Sequence, residues 1–111
     1  MKLKTPMLAF LLFAGALNAE EMHQYVIERT IPGASEMSAS DLQEISRKSR
    51  DVLEQLGPSI KWEQSYVAED KFYCVYTAPN KEIIEEHAAK GGFPVDRISE
   101  VSSVIDPSTA D

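Results

Sequence analysis

Residues 60–78 read IKWEQSYVAEDKFYCVYTA and contain two runs rich in β-branched and aromatic residues. The first run covers residues 60–69, the second covers residues 72–78, and a short polar turn around Asp70-Lys71 joins them. Two such runs separated by a few polar residues are typical of an antiparallel hairpin. The stretch therefore predicts two neighbouring strands of one sheet.

Upstream of the hairpin, the sequence predicts one strand and one helix. Residues 24–31 alternate as a strand does. A helix then begins at Ser38 or Ser40, and Ser40 with Gln43 has the spacing of a capping box. The helix carries an apolar stripe made of Leu42, Ile45, Ser49, Val52, Leu53 and Leu56.

Downstream of the hairpin, the pattern predicts a second helix and a last strand. The helix covers Lys81 to Lys90 and ends at Gly91-Gly92, and the strand covers Arg97 to Ile105. The complete order is β-α-β-β-α-β, which predicts an α+β, ferredoxin-like fold with a four-stranded antiparallel sheet and two helices on one face. We expect one domain over residues 22–106 and a flexible tail over residues 107–111.

The residues of the hairpin also predict how the face of the sheet opposite the helices is covered. In the first of its strands, alternation places Ile60, Trp62, Tyr66 and Ala68 on one face and Lys61, Glu63, Ser65 and Glu69 on the other, interrupted by Val67. The second strand is apolar on both faces, with Phe72, Cys74 and Tyr76 opposite Tyr73 and Val75. A strand that is apolar on both faces favours a sheet-to-sheet homodimer over a monomer with an exposed aromatic patch.

The N-terminus has the features of a secretory signal peptide, predicted over residues 1–19. Lys2 and Lys4 precede an uncharged apolar run over residues 7–17, which is shorter than the about 20 residues that span a bilayer. Cleavage is expected after Ala16 or Ala19, giving a periplasmic or secreted protein without stable membrane insertion. The alternative is an uncleaved helix that lies on a membrane surface.

Charge and cysteine content limit the classes of partner. Removal of Lys2 and Lys4 leaves nine basic residues against eighteen acidic ones, a net charge of −9. This balance disfavours nucleic acid and anionic membranes as partners, and it is compatible with a bound cation or with an acidic surface that maintains solubility. Cys74 is the only cysteine, which excludes an intramolecular disulfide and favours stabilisation by oligomerisation or a metal.

The chemistry-bearing candidates are single residues, because no catalytic, phosphate-binding or metal motif is recognisable. His87 lies beside the apolar stripe of the second helix, where it is either a metal ligand or a histidine at the edge of the core. His23 is a weaker metal candidate. Four residues are candidates for lining a pocket or for packing the sheet: Trp62, Tyr66, Cys74 and Tyr76.

A series of short motifs then supports a resemblance. The motifs, in order, are Trp62, Ser65-Tyr66-Val67, Asp70-Lys71, Tyr73-Cys74-Val75-Tyr76, Ala78-Pro79, His87-Ala88, Gly91-Gly92-Phe93-Pro94, Ile98-Ser99-Glu100-Val101 and Asp106-Pro107. Over residues 24–109 the chain resembles a family of small ferredoxin-like proteins of unknown function whose best-described relative binds nickel. The resemblance implies a ferredoxin-like homodimer that binds nickel or a similar divalent metal, with His87 as a ligand, and it implies no known reaction. The export signal departs from many of these relatives.

Three functions remain open at this stage. The first is an exported homodimer that binds nickel or another divalent metal. The second is an enzyme of the oxygenase or isomerase type, with a pocket between helices and sheet. The third is a binding module without chemistry. No organic cofactor is indicated.

Overall fold

The computed structural model describes residues 20–111, and the predicted signal peptide lies outside this range. The strands are β1 (His23–Thr30), β2 (Lys61–Ala68), β3 (Lys71–Ala78) and β4 (Arg97–Glu100), and the helices are α1 (Ala39–Leu56) and α2 (Lys81–Gly91). Single turns of 3-10 helix cover Ala34–Glu36 and Pro107–Ala110. Among residues 20–111, no helix is both long and apolar enough to cross a membrane.

The four strands form one antiparallel sheet in the order β2-β3-β1-β4. The helices pack against each other, and their apolar stripes meet the sheet. The residues at the centre of this core are Tyr25, Ile27, Ile60, Phe72, Cys74, Tyr76 and Ile84. The ferredoxin-like fold predicted from the element order is confirmed.

Side-chain caps determine where the two helices begin. Ser38 caps α1, because its hydroxyl accepts from the amide of Asp41 and the Asp41 carboxylate accepts from the amide of Ser38. The capping box predicted for Ser40 and Gln43 is therefore wrong, since Ser38 and Asp41, two residues earlier, satisfy the free amides. Asn80 caps α2 with its side-chain oxygen, which accepts from the amide of Ile83.

A β-bulge in β2 corrects the predicted faces of that strand. Trp62 lies opposite Tyr76 and Gln64 lies opposite Val75, so Glu63 is an extra residue without a partner on β3. An extra residue reverses the alternation of everything beyond it. Trp62 therefore faces the helices together with Ser65 and Val67, whereas Tyr66 lies on the other face and is 57% exposed. The same bulge explains why the apolar Val67 interrupts the row of polar residues predicted for one face of β2, since Val67 faces the helices.

The last strand is shorter than predicted. β4 ends at Glu100, and the amide of Val101 makes a final bond to the carbonyl of Gln24. Because β1 begins at His23, the following residues have no strand to pair with, and Val104 and Ile105 are exposed. The tail predicted to be flexible is exposed and contains the second 3-10 turn, which Asp106 caps.

Candidate functional site

A cavity of about 230 Å³ lies between α1 and the helix-facing side of the sheet. Its wall on the helix side consists of Leu42, Ile45, Ser46 and Ser49, and its floor consists of Trp62, Ser65, Val67, Phe72, Cys74 and Tyr76. Arg29, Ile31 and Phe93 complete the lining. Apolar walls with a few polar groups are typical of small-molecule sites, and this volume is below the range of drug-sized ligands.

Three of the four predicted pocket residues line this cavity. Trp62, Cys74 and Tyr76 do so, and Tyr66 does not, because the bulge places it on the opposite face. In a regular strand Gln64 and Tyr66 would face the cavity, and the bulge gives these positions to Ser65 and Val67. Ser65 could not be identified from alternation alone for this reason.

Hydrogen bonds orient the polar groups of the cavity. The indole Nε1 of Trp62 donates to Ser65 Oγ at 3.0 Å, which leaves the hydroxyl hydrogen of Ser65 free to donate elsewhere. Ser46 donates to the carbonyl of Leu42 at 2.8 Å. Burial raises the pKa of Tyr76, so its hydroxyl is neutral at physiological pH. The cavity thus offers hydroxyl groups and no ionised acid.

Arg29 is the charged group of the cavity, and sequence reasoning did not identify it. Its position in β1 points it toward the helices, and it is only 3% exposed. One guanidinium nitrogen, Nη1, donates to the carbonyl of Pro94 at 2.8 Å, and the guanidinium carbon lies 5.5 Å from the centre of the Phe93 ring. The second terminal nitrogen of the guanidinium, Nη2, is buried without a hydrogen-bond partner among residues 20–111.

His87 is fully buried next to this arginine. Its ring lies between Tyr76 and Phe93, with centroid distances of 5.3 and 5.4 Å, and Nε2 is 3.2 Å from Ser49 Oγ. Burial, followed by the positive charge of Arg29, lowers the pKa of His87 to about 4. The imidazole is therefore neutral at physiological pH, and its Nδ1 has no hydrogen-bond partner within residues 20–111.

The surroundings of His87 are a poor fit for a divalent cation. Within residues 20–111, no three or more His, Cys, Asp or Glu side chains are grouped so that they could hold a metal ion. The nearby charge is the guanidinium of Arg29, which repels cations. His87 as a metal ligand stays a prediction from the resemblance, and the packing of its ring agrees with the core-histidine alternative.

His23 has carboxylates within reach at the surface. Its Nε2 is 3.4 Å from Glu21, and its Nδ1 is 3.2 Å from Glu100. The two carboxylates approach opposite sides of the ring, so the three groups do not converge on one point.

Comparison with known proteins gives the family. A family model described as "Nickel responsive protein SCO4226-like" matches residues 25–101. The chain belongs to the SCO4226-like family. The match contains every residue that lines the cavity, and it begins after the predicted signal peptide. The resemblance drawn from the hairpin and its following motifs is confirmed.

A solved structure supports the fold of this SCO4226-like protein. The crystal structure of SCO4226 from Streptomyces coelicolor A3(2) aligns with a TM-score of 0.63 and 18% sequence identity, over 74% of this chain and 99% of that one. At this identity the likeness shows the fold alone. A search of curated proteins gave no match.

Proposed function

We propose that this SCO4226-like protein is an exported binding protein that holds a small, largely apolar molecule in the cavity between α1 and the sheet. The observation that carries the proposal is the cavity itself. The cavity is partly open to solvent, which gives a ligand access, and it is bordered by polar groups that have hydrogen bonds left to make.

Binding is favoured over catalysis by the state of the ionisable groups. His87 does not line the cavity, and its lowered pKa makes it a weak base. Cys74 does line it, but no hydrogen bond joins its thiol to a base among the described residues. We therefore propose reversible binding in place of the oxygenase or isomerase activity considered above.

Trp62 provides the test, because it is the only tryptophan of the chain and lines the cavity. Titration with benzamide and benzyl alcohol should change its fluorescence in a saturable manner. Ser46→Leu, which fills the cavity from α1, should abolish the change, and Ser102→Leu on the exposed C-terminal segment should leave it intact. A change that persists in Ser46→Leu would place binding elsewhere, and no saturable change in wild type would contradict the proposal.

Nickel is the second candidate ligand, favoured by the description of the family. Calorimetric titration of tag-free protein with nickel chloride should compare wild type, His87→Ala and His23→Ala. Loss of heat in His87→Ala alone would support the ligand that the resemblance implies. Loss in His23→Ala alone would favour binding of nickel at the surface by His23, and no saturable heat in wild type would exclude nickel.

Export is part of the same proposal and rests on residues 1–19. Mass spectrometry of the protein recovered from the periplasm or medium should find a mature chain that begins at residue 17 or 20. Full-length protein in the cytoplasm would contradict it.

A further inference from the structure

We propose that Arg29 is the anchor for a carboxylate, so that the cavity binds small organic monoanions with an apolar or aromatic body. The inference rests on the proposed binding function and names its ligand class. It starts from the charge of a side chain that is 3% exposed and lines the cavity.

A buried guanidinium requires a partner. Burial of an uncompensated charge is strongly destabilising, and buried charges in proteins are as a rule paired. Among residues 20–111, no Asp or Glu carboxylate lies within ion-pair distance of Arg29. The Pro94 carbonyl, the Phe93 ring and the nearby hydroxyl of Tyr76 compensate for part of the cost, and Nη2 has no hydrogen-bond partner among residues 20–111.

The neighbouring groups of the cavity do not provide the missing negative charge. The raised pKa of Tyr76 keeps its hydroxyl neutral, and the serines are uncharged. The imidazole of His87 is neutral at physiological pH and cannot act as a counterion. An anion that enters the cavity would therefore meet a positive charge, hydroxyl donors and no competing carboxylate.

The geometry points to a carboxylate more than to a phosphate. Nη1 donates one of its hydrogens to Pro94, and Nη2, which has no partner among residues 20–111, has both of its hydrogens available for a ligand. One guanidinium balances a single negative charge, whereas a phosphate dianion would bring a second charge into apolar walls. Those walls, formed in part by Ile45, Trp62 and Phe72, favour a ligand with an apolar body.

The test compares two probes of the same shape, benzoate and benzamide, by Trp62 fluorescence at pH 7.5. Wild type should bind benzoate at least about tenfold more tightly than benzamide, a difference of about 1.4 kcal/mol, because a hydrogen bond between two charged groups is stronger than one to a neutral amide. Equal affinities, or a preference for benzamide, would overturn the carboxylate inference while leaving the proposed binding function in place. Failure of both probes would contradict the proposed function itself.

Two variants assign the preference to Arg29. Arg29→Met keeps the length of the side chain without charge and should lose the preference for benzoate while still binding benzamide. Arg29→Lys keeps the charge without the planar donor pair and should retain an intermediate preference. An unchanged preference in Arg29→Met would overturn the assignment, and the wild-type comparison decides the anion preference even if a variant does not fold.

Two further anions decide the ligand class. Phenyl phosphate should bind more weakly than benzoate, and sodium chloride at the same concentration should not displace benzoate. Tighter binding of phenyl phosphate, or displacement by equimolar chloride, would overturn the assignment to an organic carboxylate.

Discussion

Ser49 Oγ on α1 lies 3.2 Å from His87 Nε2 on α2, and this hydrogen bond joins the two helices inside the core. Both residues are buried, and the histidine is covered by aromatic rings on two sides. The polar pair gives the helices a specific contact beside the cavity. It also makes the stability of the fold sensitive to protonation of one imidazole.

Acidification should destabilise the protein through His87. The pKa of His87 is about 4 in the folded chain and about 6.5 in the unfolded chain. Between pH 4 and pH 6.5 the unfolded chain therefore binds a proton on this imidazole and the folded chain does not. Stability from this group is complete above about pH 6.5 and is lost as the pH falls toward 4. The loss can reach about 3 kcal/mol, at about 1.4 kcal/mol for each pKa unit.

Urea unfolding at several pH values between 7.5 and 4 checks this expectation. His87→Gln should lose less free energy of unfolding than wild type over that range. His23→Gln is the matched control, because His23 is partly exposed at the surface, and it should behave like wild type. Parallel pH profiles for wild type and His87→Gln would show that carboxylates alone cause the acid loss.

Gly91→Ala should disturb the wall of the cavity. A Cβ at this position would lie less than 3.0 Å from three carbon atoms of the Phe93 ring, which packs against His87 and Arg29. We expect a loss of about 1–3 kcal/mol in the free energy of unfolding, as for other overpacked cores. The His87 ring signals in NMR spectra should shift at the same time.

Gly92→Ala is the control for this change. Gly92 has a φ of 70° and lies in the left-handed region, while its Cβ would meet only Lys48 Nζ at 3.8 Å. The substitution should cost about 1 kcal/mol through backbone strain and leave the His87 signals in place. Equal ring shifts in both variants would argue against the close approach of Phe93.

Deletion of Glu63 should be tolerated, because it removes the extra residue of the bulge. The strand would then alternate regularly while Trp62, Ser65 and Val67 keep their helix-facing positions. The hydrogen bond from Thr77 to Glu63 is lost, so we expect a decrease of about 1 kcal/mol. Urea unfolding and the Trp62 emission maximum measure the outcome.

Deletion of Tyr66 is the contrasting variant. It would move Val67 from the helix-facing side to the open face and should prevent folding. If deletion of Glu63 were the more damaging of the two, β2 would not contain the bulge at that position.

We propose that the open face of the sheet forms a homodimer, and Val75→Lys should disrupt it. Val75 lies at the centre of this face between Val26 of β1 and Gln64 of β2, with Tyr73 on the same side of β3. A lysine there would bury a charge in the proposed interface. Light scattering after size-exclusion chromatography should give the mass of a dimer for wild type and of a monomer for Val75→Lys.

Val104→Lys provides the matched substitution, since Val104 is 74% exposed in the C-terminal segment. It should remain dimeric. A monomeric wild type would contradict the proposed interface.

Local sequence patterns were sufficient to predict the order of elements, the ferredoxin-like fold and the two-sided apolar character of β3. Strict alternation in Phe72, Cys74 and Tyr76 and the apolar stripe of α1 depend only on near neighbours along the chain. The sequence also identified Trp62, Cys74 and Tyr76 as pocket candidates. These features are predictable because periodicity determines which side a residue faces wherever an element is regular.

Tertiary structure decided the features that depend on pairing between distant segments. The bulge at Glu63 moved Tyr66 out of the cavity and Ser65 into it, and β4 ended where β1 had no residue left to pair with. Arg29 looked like an ordinary charged residue in an alternating strand until the register placed it under the helices beside His87. Strand register and burial are set by contacts between residues far apart in sequence, so only the folded chain could reveal a buried cation that has no counterion in the described part of the chain.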